Sequence, residues 1–431
     1  MNATMKSIVI VGGGVAGLSL ATKLGRRLGR KGKADIILID RSFAHVWKPM
    51  LHTFAAGTAN PYQQRIPFIP HAARAGFRFL PGSLGAVDRS AQTVTVEPII
   101  ASDGEILVSR RNIRFDCLVL AAGSKANDFN TPGVLDHCLF VDDLVQAEHF
   151  NDRLYEGMLR TASEGDPLTI AIVGGGATGV ELATEISQLL EIADSYGADG
   201  LRPRLRLTLI ESGPRILPSF PEDIAQAATR QMEDLGIQVR THTQVSGADA
   251  DGFLLADGGR INARLRVWAA GVKAADAVAG LSEFQHTRTG QLIVRPTLQT
   301  TRDDHVFAVG DCASFTPPGA SKPLPPTAQV ARQQAAHLGR HLPGWLEGGR
   351  LPPFEFHDLG SLVSLGTYNA YGTLGRYGLF KGRSIQGRFA QLSHAMLYRL
   401  HQMEIHGLAR AAAIWLSDFI TTAVGYRIRV S

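Results

Sequence analysis

One pattern stands twice in this chain of 431 residues: Lys6 to Leu24 reads KSIVIVGGGVAGLSLATKL, and Leu168 to Ile186 reads LTIAIVGGGATGVELATEI. Each copy is an apolar run of strand length that breaks at G-x-G-x-x-G and resumes with apolar residues at helical spacing, a strand-turn-helix unit. The glycines are Gly12, Gly14 and Gly17 in the first copy, and Gly174, Gly176 and Gly179 in the second. The first of each set permits the tight turn, the second lets a pyrophosphate approach the backbone, and the third brings helix close to strand. Among 46 glycines such a motif carries little by itself. Here Ile8 to Val11 lead into the turn, and Leu18, Leu20, Ala21 and Leu24 follow on one helical face. Two such cradles imply two dinucleotides; the plain alternative is a pair of glycine turns without ligand.

An acid closes the strand that follows each cradle, Asp40 after Ile36 to Ile39 and Glu211 after Leu205 to Ile210, placed to accept from ribose hydroxyls. Gly179 and Glu211 stand further apart than the roughly 20 residues expected, and the surplus reads as a loop inserted at Asp194 to Gly200. The Glu211 carboxylate favours a dinucleotide with a free ribose 2′-hydroxyl, because it repels a 2′-phosphate and Arg215 sits four positions on.

The length suits two or three domains. With 44 basic and 39 acidic residues and a net charge of +5, no Lys or Arg tract stands out. Nucleic acid is therefore not an expected partner, while an anionic lipid surface stays open. The first strand begins close to Met1, so no secretory leader is expected and the protein is expected to stay in the cytoplasm. Cys117, Cys138 and Cys312 are too few and scattered for a disulfide framework or a zinc site. No run of about 18 uncharged apolar residues exists, so no transmembrane helix is expected.

Between the cradles, strand signals fall at Phe77 to Leu80, Val94 to Val96 and Phe115 to Leu120, the last running into Ala121-Ala122-Gly123. Val267 to Gly271 repeats that small-residue ending after the second cradle, and both are natural crossover points between domains. Val306 to Asp311 reads as a buried strand stopping on Gly310-Asp311, suited to a sugar-like hydroxyl chain or to an ordinary turn. Thr327 to Leu338 reads as a helix, and from about Pro343 the composition shifts to a third segment.

The order cradle, Ala-Ala-Gly, cradle, Ala-Ala-Gly, Val-Gly-Asp resembles the two-dinucleotide-domain flavoprotein fold shared with glutathione reductase. Val46 to Leu51, Asn127 to Gly133, Ala171 to Leu182, Pro296 to Asp303 and Gly360 to Leu365 narrow the resemblance to the bacterial type II NADH:quinone oxidoreductases over essentially the whole chain. The implied fold is α/β, with two Rossmann-like domains, the second inserted in the first, and a C-terminal membrane-association segment. The implied bounds are 1–125 and 272–343 for FAD, 126–271 for NADH, and 344–431 for the tail. By resemblance, Gly12, Gly14, Gly17 and Asp40 hold the adenosine diphosphate half of FAD, with Lys48, Ala122 and Gly123 nearby, and Gly310-Asp311 meets the ribityl chain. Gly174, Gly176, Gly179 and Glu211 hold NADH as substrate, and Glu181 lies near the nicotinamide. On residue grounds alone Glu181 is equally a helix-start acid that complements the macrodipole.

Ala328, Gln329 and Gln333 fit the family's A-Q-x-A-x-Q pattern at the flavin and quinone. Small alanines let a helix N-terminus approach the ring, and the two glutamines share one helical face; solvated surface glutamines are the bland reading. One departure is Thr53, where many relatives carry a glutamate after the Leu-His pair. The activity implied is two-electron transfer from NADH to a membrane quinone, without proton pumping and without a metal. Rival readings are a sulfide:quinone reductase-like enzyme, which needs a reactive cysteine pair, and a redox-responsive binding flavoprotein resembling apoptosis-inducing factor.

Leu408, Ala411, Ala412, Trp415, Leu416, Phe419, Ile420 and Ala423 recur at helical spacing, while Arg410, Ser417 and Asp418 lie off that stripe. Its five large side chains, at roughly 1.5 kcal/mol each, supply on the order of 7 kcal/mol before ordering costs. Arg410, Arg427 and Arg429 would add lipid attraction. That suits peripheral residence on the bilayer at the cytoplasmic face of the inner membrane, not a span. The same stripe also suits the protein's own body or a second subunit in a homodimer.

Overall fold

Runs of Val, Ile and Leu buried on both faces form parallel strands covered by helices, and the chain builds two sheets of this kind. The computed structural model describes residues 5–198, 200–375 and 384–424. In chain order the principal strands are β1 (Lys6–Val11), β2 (Ala34–Asp40), β3 (Arg78–Pro81), β4 (Cys117–Leu120), β5 (Leu168–Val173), β6 (Leu205–Ile210), β7 (Gln238–Arg240), β8 (Leu265–Trp268), β9 (Val306–Ala308), β10 (Gly360–Leu365), β11 (Asn369–Leu374) and β12 (Ser384–Gln386). The helices are α1 (Val15–Arg27), α2 (Leu51–Ala56), α3 (Leu144–Glu164), α4 (Ala177–Ser195), α5 (Ala328–Leu346), α6 (Arg388–His406) and α7 (Leu408–Val424).

Two compact units divide the chain. One comprises Met1–Trp47, Gln64–Lys125 and Val272–Phe356; the other comprises Lys48–Gln63, Ala126–Gly271 and His357–Ser431. In the first, a parallel sheet runs β9-β4-β1-β2-β3. β1 sits at its centre with Ile8, Val9 and Ile10 fully buried. α1 buries Leu18, Leu20, Ala21 and Leu24 and packs along α5. The strand order reverses on either side of β1, and the carboxyl ends at such a switch are where this architecture takes ligands.

In the second unit the parallel sheet runs β7-β6-β5-β8. Val173, Ile210, Phe253 and Trp268 share one core cluster, which joins it to the antiparallel strands Val245–Ala248, Gly252–Leu255 and Arg260–Asn262. α2 packs against α3 and α4, and Asn151 Nδ2 donates to Ala55 O at 2.9 Å. β10, β11 and β12 make a small antiparallel sheet that carries α6, with α7 paired to α6.

Two elements differ from their sequence reading. α5 does not stop at Leu338 but continues through Pro343 to Leu346. A proline there leaves the carbonyl of Gly339 without its helical donor, and Arg27 Nη1 reaches that carbonyl at 3.4 Å and Arg340 O at 3.0 Å. The expected loop from Asp194 begins later, because α4 runs to Ser195 and a short helix, Leu201–Arg204, follows.

Candidate functional site

The two cradles repeat one another in backbone detail. Gly12 has φ +104° and Gly174 has φ +116°, a region that glycine alone enters freely. A Cβ on Gly12 would overlap Ala121 O, and one on Gly174 would lie 2.8 Å from Ala269 O. Each turn is thus pressed backbone to backbone against an Ala-Ala-Gly strand end. A Cβ on Gly17 would overlap Gly12 O, and one on Gly179 would overlap Gly174 O. Gly14 and Gly176 instead face open space within 4 Å. Both are N-caps, and neither α1 nor α4 has a side-chain cap, whereas α3 and α5 are capped by Asp143 and Thr327. The uncapped N–H groups at an open glycine form an anion-binding surface.

Both strand-end acids grip their own cradle. Gly13 N–H donates to Asp40 Oδ2 at 2.5 Å and Ser42 N–H to Oδ1 at 2.7 Å. Gly175 N–H donates to Glu211 Oε2 at 2.7 Å and Gly213 N–H to Oε1 at 2.6 Å. Burial pushes the Asp40 carboxyl above its ordinary value, and the N–H groups of Gly13 and Ser42 oppose it. Arg215 donates to the carbonyls of Leu217, Pro218 and Phe220, so its guanidinium is occupied in holding its own loop.

Also in the first unit, Gly123 has φ +73° and faces open space, directly after Ala122. Gly310, φ +71°, turns the chain after β9. Asp311 Oδ2 accepts from Ser124 Oγ at 2.7 Å, and Asp311 O accepts from Gln291 Nε2 at 2.9 Å. Ser124 and Gln291 are partners that sequence reading missed. The fully buried Gln334 was missed as well, and its Oε1 takes the Gly310 N–H at 2.7 Å. Ala328 opens α5, and Gln329 and Gln333 are half-buried on one face, Gln333 Nε2 lying 3.4 Å from Gln329 Oε1.

Lys48 and Glu181 belong to the second unit. Lys48 Nζ lies 3.6 Å from Asp142 Oδ1. Glu181 is buried on α4, where Ser364 N–H donates to Oε1 at 3.1 Å and His52 Nδ1 lies 3.4 Å from Oε2. Burial raises its pKa to about 8, with the Ser364 N–H pulling down and the Glu185 carboxylate pushing further up. One turn on, buried Glu185 accepts from Thr58 Oγ1 at 2.5 Å, and burial raises its pKa too. Gln188 Oε1 takes Thr367 N–H at 2.7 Å. A single polar face of α4 therefore anchors α2 and the turn between β10 and β11. The pattern GSLVSL gave no hint that its Ser364 amide meets Glu181.

The cysteine thiols are poor nucleophiles. Burial raises Cys138 to about 12 and Cys312 to about 11, which removes the thiolate a reactive pair requires.

The terminal stripe divides between two directions. Ala411 is buried and Trp415 Nε1 donates to Gln402 Oε1 at 2.8 Å. Asp418, off the apolar stripe, pairs with Arg399 Nη1 of α6 at 2.5 Å. Leu408, Leu416, Phe419, Ile420 and Val424 face outward, Phe419 with 73% of its surface exposed. The side chain of Ala423, together with Arg427 and Arg429, lies outside the described residues. Among the described residues no helix is long and apolar enough to cross a membrane.

Two glycine cradles on two parallel sheets define the class: the chain belongs to the pyridine nucleotide-disulphide oxidoreductase family, whose profile matches residues 6–335. A type II NADH:quinone oxidoreductase of Haemophilus influenzae is 37% identical over 444 residues, covering 99% of this chain and 100% of the relative. One from Staphylococcus aureus is 27% identical, covering 94% and 97%. Within the class, the chain is a member of the type II NADH:quinone oxidoreductases. The solved structure of NDH2 from Plasmodium falciparum in complex with NADH shares the fold, with a TM-score of 0.83 at 19% identity, covering 99% of this chain and 100% of that one.

Proposed function

We propose that this protein transfers two electrons from NADH to a membrane quinone without pumping protons. Whole-length similarity at 37% identity to a type II NADH:quinone oxidoreductase carries the reading, and the duplicated cradle supports it. The first cradle fits FAD: an open Gly14, an uncapped α1 and a strand-end acid offer donors for a pyrophosphate and an acceptor for a ribose. Gly12, Gly14, Gly17 and Asp40 would hold the adenosine diphosphate half, with Ala122, Gly123, Gly310, Asp311 and Ala328 of the same unit completing the site. When bound, FAD supplies the hydride acceptance and electron delivery that no side chain here can perform.

The second cradle, Gly174, Gly176, Gly179 and Glu211, takes NADH as a substrate that arrives and leaves. The Glu211 carboxylate accepts from ribose hydroxyls and repels a 2′-phosphate, which sets the preference for NADH. Burial biases Glu181 towards its neutral form, which lessens the charge it would set beside the nicotinamide. Gln329 and Gln333 offer amide donors to quinone oxygens at the start of α5. We assign 126–271 to NADH, 1–125 and 272–343 to FAD, and 344–431 to attachment at the lipid surface.

The protein is peripheral. The outward side chains of α7 suit the cytoplasmic face of the inner membrane, with a second copy of the chain as the competing occupant. The raised cysteine pKa values weigh against the sulfide:quinone alternative. Stopped-flow mixing of the yellow protein with NADH, then with a short-chain ubiquinone analogue, tests the assignment. Rapid bleaching followed by rapid recovery of colour is expected. Slow recovery with quinone overturns it in favour of a redox-responsive binding protein.

A further inference from the structure

The motif G-x-G-x-x-G leaves its second position unspecified, yet in both cradles that position is a glycine whose peptide groups are held on both sides. Gly175 N–H donates to Glu211 Oε2 at 2.7 Å, and Gly175 O accepts from the backbone N–H of Leu217 at 2.7 Å. Gly13 N–H likewise donates to Asp40 Oδ2 at 2.5 Å, but its carbonyl accepts from a side chain, the ring Nδ1 of His45, at 2.9 Å. His45 is buried at 3% exposure, so this bond is shielded from competing water. A carbonyl oxygen only accepts, which fixes the hydrogen on Nδ1. The ring of Phe68 fills the space where a Gly13 Cβ would stand. Gly13 is therefore gripped at its N–H, its carbonyl and its Cα.

We propose that His45 is a positioning residue for the FAD cradle: its Nδ1–H fixes the Gly13 carbonyl, and so aims the glycine-loop N–H groups that receive the pyrophosphate. The same task in the NADH cradle falls to the main chain of Leu217. The difference matters because a backbone donor is insensitive to substitution, whereas a side-chain donor makes one residue decisive. Preorganised donors bind tightly because little is spent on ordering them, which suits the cofactor that stays.

The inference rests on the assignment of FAD to the first cradle, and variants of His45 separate the two. An asparagine amide places a donor where Nδ1 stands, whereas a glutamine amide places one where Nε2 stands. His45→Asn, His45→Gln and His45→Leu are purified as flavoproteins, and FAD release is followed by the rise of free-flavin fluorescence on dilution. With a buried hydrogen bond to a carbonyl at stake, Gln and Leu are expected to hold FAD about 10- to 100-fold more weakly than wild type, and Asn within about threefold. Should His45→Leu fail to fold, the Asn and Gln ranking decides. Glutamine matching or exceeding asparagine would mean the ring acts by filling volume and overturns the inference. Wild-type protein that binds no FAD would overturn the cofactor assignment itself, and the inference with it.

Discussion

Two alanine substitutions three residues apart on one motif should fail in opposite ways. A Cβ on Gly179 overlaps the Gly174 carbonyl and lies 3.3 Å from Leu209 Cδ1. The first obstacle is backbone of the turn itself and has nowhere to move, so overpacking costs about 1–3 kcal/mol. Alanine's helix preference returns up to about 1 kcal/mol. Because the obstacle is backbone, the cost falls at the upper end of that range, and the net loss of about 2 kcal/mol lowers the melting temperature by a few degrees in a chain of this size. A Cβ on Gly176 meets no atom within 4 Å, and Gly176 has an ordinary φ of −73°. Its weaker N-capping and its smaller unfolded-state freedom are each worth less than about 1 kcal/mol and oppose one another. On the proposed site the methyl stands where a pyrophosphate would approach, at a cost of about 1–3 kcal/mol, which raises the NADH KM roughly 5- to 150-fold. Thermal melting and NADH titration of both proteins check the pair. Gly176→Ala with an unchanged KM, or Gly179→Ala with unchanged melting, would refute the division of labour between the open and packed glycines.

Glu211→Gln keeps an acceptor for Gly175 while removing the charge, and should raise kcat/KM for NADPH relative to NADH by about tenfold; an unaltered ratio of the two coenzymes contradicts the electrostatic account. Glu181 has a folded pKa of about 8 against an ordinary 4.5, so between those values the folded state holds a proton that the unfolded chain has released. Stability from this group is greatest below about pH 4.5 and declines as pH rises to about 8, by up to about 5 kcal/mol. Melting curves from pH 5 to 8.5 should therefore slope downward in wild type and flatten in Glu181→Gln; identical slopes count against it. Leu416→Asp with Phe419→Asp removes two outward apolar side chains of α7 and should lower vesicle affinity about a hundredfold or more, with NADH bleaching intact. Undiminished flotation with vesicles would mean that α7 is not the lipid-facing element.

The cradles were readable because their demands fall on the backbone. A positive φ, a helix start open to a ligand and a close helix-strand approach all exclude side chains, so glycine at fixed offsets reports them. Asp40 and Glu211 were readable from their places at strand ends. What could not be read depends on partners far apart in sequence. Ser124 meets Asp311, Gln334 takes the Gly310 amide, and Glu181 finds His52 and Ser364; no local pattern marks such pairs. α2 joins the second unit although the residues on either side of Lys48–Gln63 belong to the first. In α7 the periodicity located the helix, but Trp415 and Asp418 turn inward because Gln402 and Arg399 of α6 await them. α5 runs past the expected end at Leu338 and through Pro343, where Arg27 reaches the carbonyl that the proline leaves without a donor.

Anaerobic titration of the purified protein with NADH, following flavin absorbance together with FAD retained per chain, tests most directly that two cradles of one build serve two different dinucleotides. The account predicts one FAD per chain, full bleaching at one equivalent of NADH, and no FAD in the filtrate. Displacement of FAD by NADH, or a flavin that keeps its colour with NADH in excess, would contradict it.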